Sequence, residues 1–175
     1  MRSRLFFISL ILQMQVFAQF VISDIKVEHI IDGDTFITTI DNEKERVRMK
    51  CIDAPELKQT FVGFDGIKKE IGIEAMEYLE LMISKGELLQ IKCSDGRDKY
   101  RRLTCEVFDD NGGSINLQMV KSGYAYVLPS KCFSQADGVI YFGYQHLAKF
   151  SQVGLWRHGA WDEPWRWRNN QNISY

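Results

Sequence analysis

Residues 45–52 alternate without a break. Arg46, Arg48 and Lys50 fall on one side and Val47, Met49 and Cys51 on the other. A period of two is that of a β-strand with one face in a core. The opposite face then carries three cations in a row, so the strand is either a solvated edge or part of an anion site. The neighbouring segments read the same way. Residues 25–30 alternate, and Thr35–Ile40 is β-branched and aromatic, which suits a pleated, half-buried strand. The polar turn Asp41-Asn42-Glu43-Lys44 joins that strand to the next.

Two further strands are predicted at 88–93 and Leu103–Phe108, separated by the polar loop 94–101. Ala75, Leu79, Met82 and Ile83 share one helical face over 73–85, and Gly86 supplies a stop. Shorter helical readings cover 115–122, closed by Gly123, and 140–152, closed near Gly154. The predicted fold is α+β: a five-stranded antiparallel barrel with about three helices. The 175 residues suffice for one domain with a sizeable core, and no internal repeat or linker interrupts them.

The N-terminus reads as a secretory signal over residues 1–18. Arg2 and Arg4 form a basic start, an apolar run follows, and Val16-Phe17-Ala18 offers small residues for cleavage. The apolar run is too short to span a bilayer comfortably. The alternative is an uncleaved interfacial helix. The expected organisation is a signal at 1–18, a domain at 19–168 and a polar tail at 169–175, exported to the periplasm or medium, with no stable membrane insertion after cleavage. Asn172-Ile173-Ser174 fits an N-glycosylation pattern that chance also produces.

The formal net charge is −1, and loss of the signal would remove two arginines and no acids. A broad basic face for nucleic acid is therefore excluded. Any grip on phosphate is local, which suits an enzyme better than an architectural binder. The four cysteines form no Cys-x-x-Cys pair and the three histidines are scattered, so zinc and histidine-metal chemistry are set aside. Export permits disulfides. Cys93 and Cys105 both face the apolar side of neighbouring predicted strands, so their pairing is expected, with buried free thiols as the alternative. Cys51, on a core face, is the cysteine expected to stay reduced, and Cys132 the one expected to be exposed.

Three charged motifs stand apart. Asp32-Gly33-Asp34-Thr35 precedes a strand. Asp53-Ala54-Pro55-Glu56 follows the strand bearing Arg48. Asp98-Lys99-Tyr100-Arg101-Arg102 returns into a strand. Alone, each is an ordinary Asp-Gly turn, strand end or hairpin tip. Together they hold what phosphodiester hydrolysis needs. Asp34 and Asp53 are hard oxygen donors for calcium or magnesium. Glu56 can accept a proton from water. Arg48 and Arg102 match phosphate with planar forks, and Tyr100 offers a ring and a hydroxyl.

In their order and spacing over about residues 27–156, these motifs resemble the staphylococcal nuclease (thermonuclease) family. The resemblance implies an OB-type barrel, one Ca2+ ion, and a monomeric nuclease acting on DNA or RNA. Asp34 and Asp53 would ligate the ion with the backbone carbonyl of Ala54, where the family has threonine. Glu56 would be the general base or position the water. Arg48 and Arg102 would bind the reacting phosphate, with Lys99 and Tyr100 near the nucleotide's other phosphate. Arg101 stands where the family has a small residue and adds a charge near the site. Leu128-Pro129-Ser130-Lys131-Cys132 replaces the family's tyrosine-bearing loop, from which no residue carries over. Trp165 and Trp167, in an ending like that of bacterial members, either stack on bases or clamp the C-terminus to the barrel. The competing function is a catalytically silent OB-fold module that binds nucleic acid or protein. Members that lose catalysis lose acidic or arginine positions that are present here.

Overall fold

A computed structural model describes residues 19–83 and 88–171. Strands β1 (Gln19–Ile25), β2 (Val27–Asp32), β3 (Thr35–Ile40) and β4 (Glu43–Met49) come first. Two-residue strands β5 (Ile52–Asp53), β6 (Phe61–Val62) and β7 (Lys68–Lys69) lead to helix α1 (Ile71–Met82). Strands β8 (Leu89–Arg97) and β9 (Leu103–Phe108), helix α2 (Ile115–Lys121), strand β10 (Tyr126–Val127), helix α3 (Gln135–Phe150) and helix α4 (Pro164–Asn170) complete the order. The fold is α+β. Its main sheet runs β1-β8-β9-β4-β3-β2.

The expectation of five antiparallel strands and about three helices needs correction. Among the described residues the main sheet has six strands, β4 pairs with β9 in parallel, and there are four α-helices. Strand β1 is an edge strand, paired among the described residues with β8 alone, and is mostly exposed, so no core face marks it in the sequence. Helix α4 escaped because its letters, Pro-Trp-Arg-Trp-Arg, alternate at period two; Pro164 at its first position suits a helix start. Helix α3 begins ahead of residue 140 because Ser134 caps it, its Oγ accepting from the Asp137 amide at 3.1 Å.

Strand β4 is no edge, since it lies between β3 and β9. Asp41 and Asn42 both take positive φ (52° and 67°), the geometry of a two-residue hairpin turn, and set the β3–β4 register Phe36↔Val47 and Thr35↔Arg48. Phe36, Val47, Met49, Ile91 and Val107 are buried against Ala75 and Leu79 of α1 and Ile115 and Met119 of α2. The alternation stops at Met49. Lys50 donates its amide to the Cys105 carbonyl at 2.8 Å, and Cys51 takes φ 69° before β5 pairs with β10.

Cys93 and Cys105 face each other across β8 and β9 and are disulfide-bonded. The expectation that Cys51 stays reduced is overturned: it is bonded to Cys132, and the described cysteines include no free thiol. The left-handed turn at Cys51 takes its side chain out of the β4 alternation. The 3-10 turn Pro129–Lys131 brings Cys132 to it. The signal at 1–18, the stop at Gly86 and the Asn172 pattern lie outside the described residues. No helix among the described residues is long and apolar enough to cross a membrane.

Candidate active site

The three motifs meet in one cleft of about 1270 Å³, lined by Asp34, Arg48, Asp53, Glu56, Lys99, Tyr100 and Arg102. Helix α4 supplies further lining from Trp165, Trp167 and Arg168.

Asp34 sits in the turn between β2 and β3. Its amide donates to Asp32 Oδ1 at 3.0 Å, and its Oδ1 accepts from Thr35 Oγ1 at 2.9 Å. Its Oδ2 accepts from the Ala54 amide at 2.6 Å, which pins the carboxylate to the loop of the second motif. Gly33 makes this approach possible: a Cβ there would meet the Cβ atoms of Ala54 and Ala75 at 2.8 and 2.9 Å. Burial pushes the Asp34 carboxyl well above the usual carboxylate range. Arg48 opposes that rise, while Asp32 and Asp53 add to it.

Arg48 crosses from β4 to these acids. Nη2 donates to Asp53 Oδ1 at 2.7 Å and lies 3.0 Å from Asp34 Oδ2, while Nη1 donates to the Met49 carbonyl at 2.7 Å. Burial disfavours its charge, but Asp34, Asp53 and Asp32 outweigh that and hold its pKa above the ordinary arginine value. Of the three cations on the β4 side, Arg46 and Arg48 line the cleft. Lys50 lies beyond the end of the strand, where Nζ donates to Ser94 Oγ at 2.5 Å and packs over the Phe133 ring.

Glu56 lies on the turn after Pro55. Its amide donates to Gln59 Oε1 at 3.3 Å, and the buried Gln59 donates through Nε2 to the Asp162 carbonyl at 2.8 Å. Gln59 thus ties the acidic loop to the segment entering α4. The start of α1 packs so closely on this loop that a Cβ at Gly72 would run into the Glu56 carbonyl.

Asp98 organises the third motif. Its Oδ1 accepts from the amides of Tyr100 and Arg102, both at 2.9 Å, and its Oδ2 accepts from Arg102 Nε at 2.8 Å. Lys99 and Arg102 lie against the Tyr100 ring, 4.8 and 5.1 Å from its centroid. Arg101, at φ 63°, is exposed and does not line the cleft, so its added charge faces solvent. The loop around Pro129 also stands outside the cleft, held by the Cys51–Cys132 bond.

Sequence reasoning gave Asp32, Asp98, Gln59 and Arg168 no role at the site. Arg168 is the most consequential omission, since its guanidinium contacts both Asp53 and Glu56. Its only sequence signal is the Trp-Arg ending. The tryptophans divide: Trp156 and Trp161 are buried around Tyr126 as a clamp, Trp165 packs edge-on against the same ring while also lining the cleft, and Trp167 lines the cleft.

The donor chemistry fits a hard cation. Among the described residues no three His, Cys, Asp or Glu side chains form a metal-holding group by themselves. Two carboxylates and a backbone carbonyl, completed by water or phosphate oxygens, are the alternative, an all-oxygen set suited to calcium and unsuited to zinc. Arg48 and Arg168 both donate to Asp53 oxygens, so a cation there would share or take those oxygens from them.

Residues 46–158 match the family described as staphylococcal nuclease homologue. An uncharacterized endonuclease of Haemophilus influenzae is 33% identical over 150 residues, covering 85% of this chain and 75% of that protein. A micrococcal nuclease of Shigella flexneri is 27% identical over 152 residues, covering 82% and 79%. Endonuclease YhcR of Bacillus subtilis is 29% identical over 136 residues, covering 74% of this chain, which spans only 11% of that much longer protein. The chain belongs to the staphylococcal nuclease family.

Proposed function

We propose that this protein is a calcium-dependent nuclease that hydrolyses phosphodiester bonds of DNA or RNA, and that its main sheet is an OB-type barrel. The observation that carries the reading is the meeting of Asp34, Asp53, Glu56 and Arg48 with Tyr100 and Arg102 in one cleft. The names of its relatives, endonuclease and micrococcal nuclease, support the same reaction.

Asp34, Asp53 and the Ala54 carbonyl would hold the ion. Bound calcium would supply fixed positive charge for the phosphate oxygens and for the attacking water. Glu56 accepts a proton from that water. Arg48 and Arg102 donate to the phosphate oxygens on which charge builds in the transition state. Lys99 and Tyr100 bind the nucleotide's other phosphate. The enzyme acts as a monomer in the periplasm or medium, with residues 1–18 as its signal. Two disulfides suit an oxidising compartment.

The test is incubation of purified protein with labelled single- and double-stranded DNA and RNA in calcium. Cleavage of at least one substrate is expected. Binding without cleavage of any would replace this reading with that of a silent binding module.

A further inference from the structure

Helix α4 lays Arg168 across the acidic cluster. Nη2 donates to Asp53 Oδ2 at 2.8 Å, and Nη1 to Glu56 Oε1 at 2.5 Å and Asp53 Oδ1 at 3.3 Å. One planar fork thus spans the carboxylate read as a metal ligand and the one read as the base. The Asp53 side chain is only 1% exposed, so these contacts are largely withdrawn from water. The helix itself is held from its entry end. Pro164 is buried, Trp165 packs edge-on against Tyr126, and Gln59 bonds the Asp162 carbonyl. Arg168 lies a full turn beyond that anchor and keeps 23% of its side chain in solvent, so its head can swing without unseating the helix.

Charge and geometry then conflict with a bound cation. Three carboxylates (Asp34, Asp53, Glu56) face two guanidinium groups (Arg48, Arg168), and both oxygens of Asp53 already accept from arginine. A hard cation needs an Asp53 oxygen. Arg48 reaches Asp53 from the sheet interior, whereas Arg168 comes from the chain's C-terminal helix and is the more readily displaced. We propose that Arg168 is a built-in counter-cation of the acidic cluster, that a divalent cation displaces it from Asp53, and that helix α4 thereby sets the enzyme's metal affinity. The inference rests on the calcium reading above.

The test is calorimetric titration of CaCl2, without nucleic acid, into the wild-type protein and into Arg168→Gln and Arg168→Lys, with thermal unfolding in EGTA and in calcium beside it. Removing the competing charge should lower the Kd of Arg168→Gln by about tenfold, within the usual range for coupling between two ligands. The same variant should melt earlier than wild type in EGTA and regain stability in calcium. Arg168→Lys keeps a point charge but cannot span two carboxylates, so its Kd should fall between the two, and it decides the matter if Arg168→Gln does not fold. A Kd equal to or weaker than wild type in the folded variants overturns this inference and leaves the calcium reading intact. No calcium binding to any of the three proteins overturns both.

Discussion

Arg48 Nη2 donates to Asp53 Oδ1 at 2.7 Å, so the guanidinium proposed to meet the phosphate is joined to a carboxylate proposed to hold the ion. Strand β4 and the loop after it therefore deliver both halves of the chemistry as one unit. Arg48→Lys keeps the charge but loses the fork that spans Asp53, Asp34 and the Met49 carbonyl. Turnover should fall by about 10²–10³, as for loss of a transition-state donor. Steady-state kinetics that showed a change in KM alone would make Arg48 an anchor.

Arg102 should behave differently, because Asp98 holds it. Arg102→Lys is expected to lower kcat by a similar 10²–10³, roughly the cost of one transition-state donor. Asp98→Asn should reproduce part of that loss by freeing the loop that carries Tyr100 and Arg102. The hydrogen bonds and charge of Arg102 and the Tyr100 amide outweigh burial and hold the Asp98 carboxyl below its ordinary value. Its stabilising effect is therefore present above the unfolded pKa and lost as pH falls through the lower folded one. A pH titration of loop order, followed by Tyr100 fluorescence or amide exchange, should show the loop loosening only below the ordinary aspartate range, and Asp98→Asn should abolish that step.

Glu56→Gln preserves size and the backbone bond to Gln59 but removes the basic oxygen. Turnover should drop by about 10²-fold or more, the range for loss of a general base. Wild-type turnover in the folded variant would assign the proton to another group.

The two disulfides close loops of very different length, with sequence separations of 12 and 81 residues. By chain entropy the shorter should contribute about 3 kcal/mol and the longer about 4.5 kcal/mol. Peptide mapping without reductant should recover Cys93 linked to Cys105 and Cys51 linked to Cys132. Thermal melts should show a larger loss for Cys132→Ser than for Cys105→Ser. An alkylated Cys51 peptide at full yield would contradict the second bond.

Much of the sheet was legible because burial writes a period of two into it. Strands Thr35–Ile40 and Leu103–Phe108 stand where the pattern put them, and the alternating β4 does so only as far as Met49. What escaped lacked a core face or carried a misleading one. Edge strand β1 is mostly exposed, and α4 alternates like a strand. Cys51 looked like a continuation of the β4 core face until its positive φ turned it toward Cys132. At the site, the local motifs marked the acids and arginines that converge in the cleft. Gln59 and Arg168 could not be marked, because each acts over a separation of more than a hundred residues, from Asp162 to Gln59 and from Arg168 to Asp53.

Asp34 and Asp53 are proposed to hold a calcium ion on which phosphodiester cleavage depends. The direct measurement is the initial rate of DNA digestion across a calcium titration, in excess EGTA, and with zinc in place of calcium, for the wild-type protein and for Asp53→Asn. The rate should rise with calcium to saturation, vanish in EGTA, recover poorly with zinc, and require far more calcium in Asp53→Asn. Full wild-type activity in excess EGTA would contradict it.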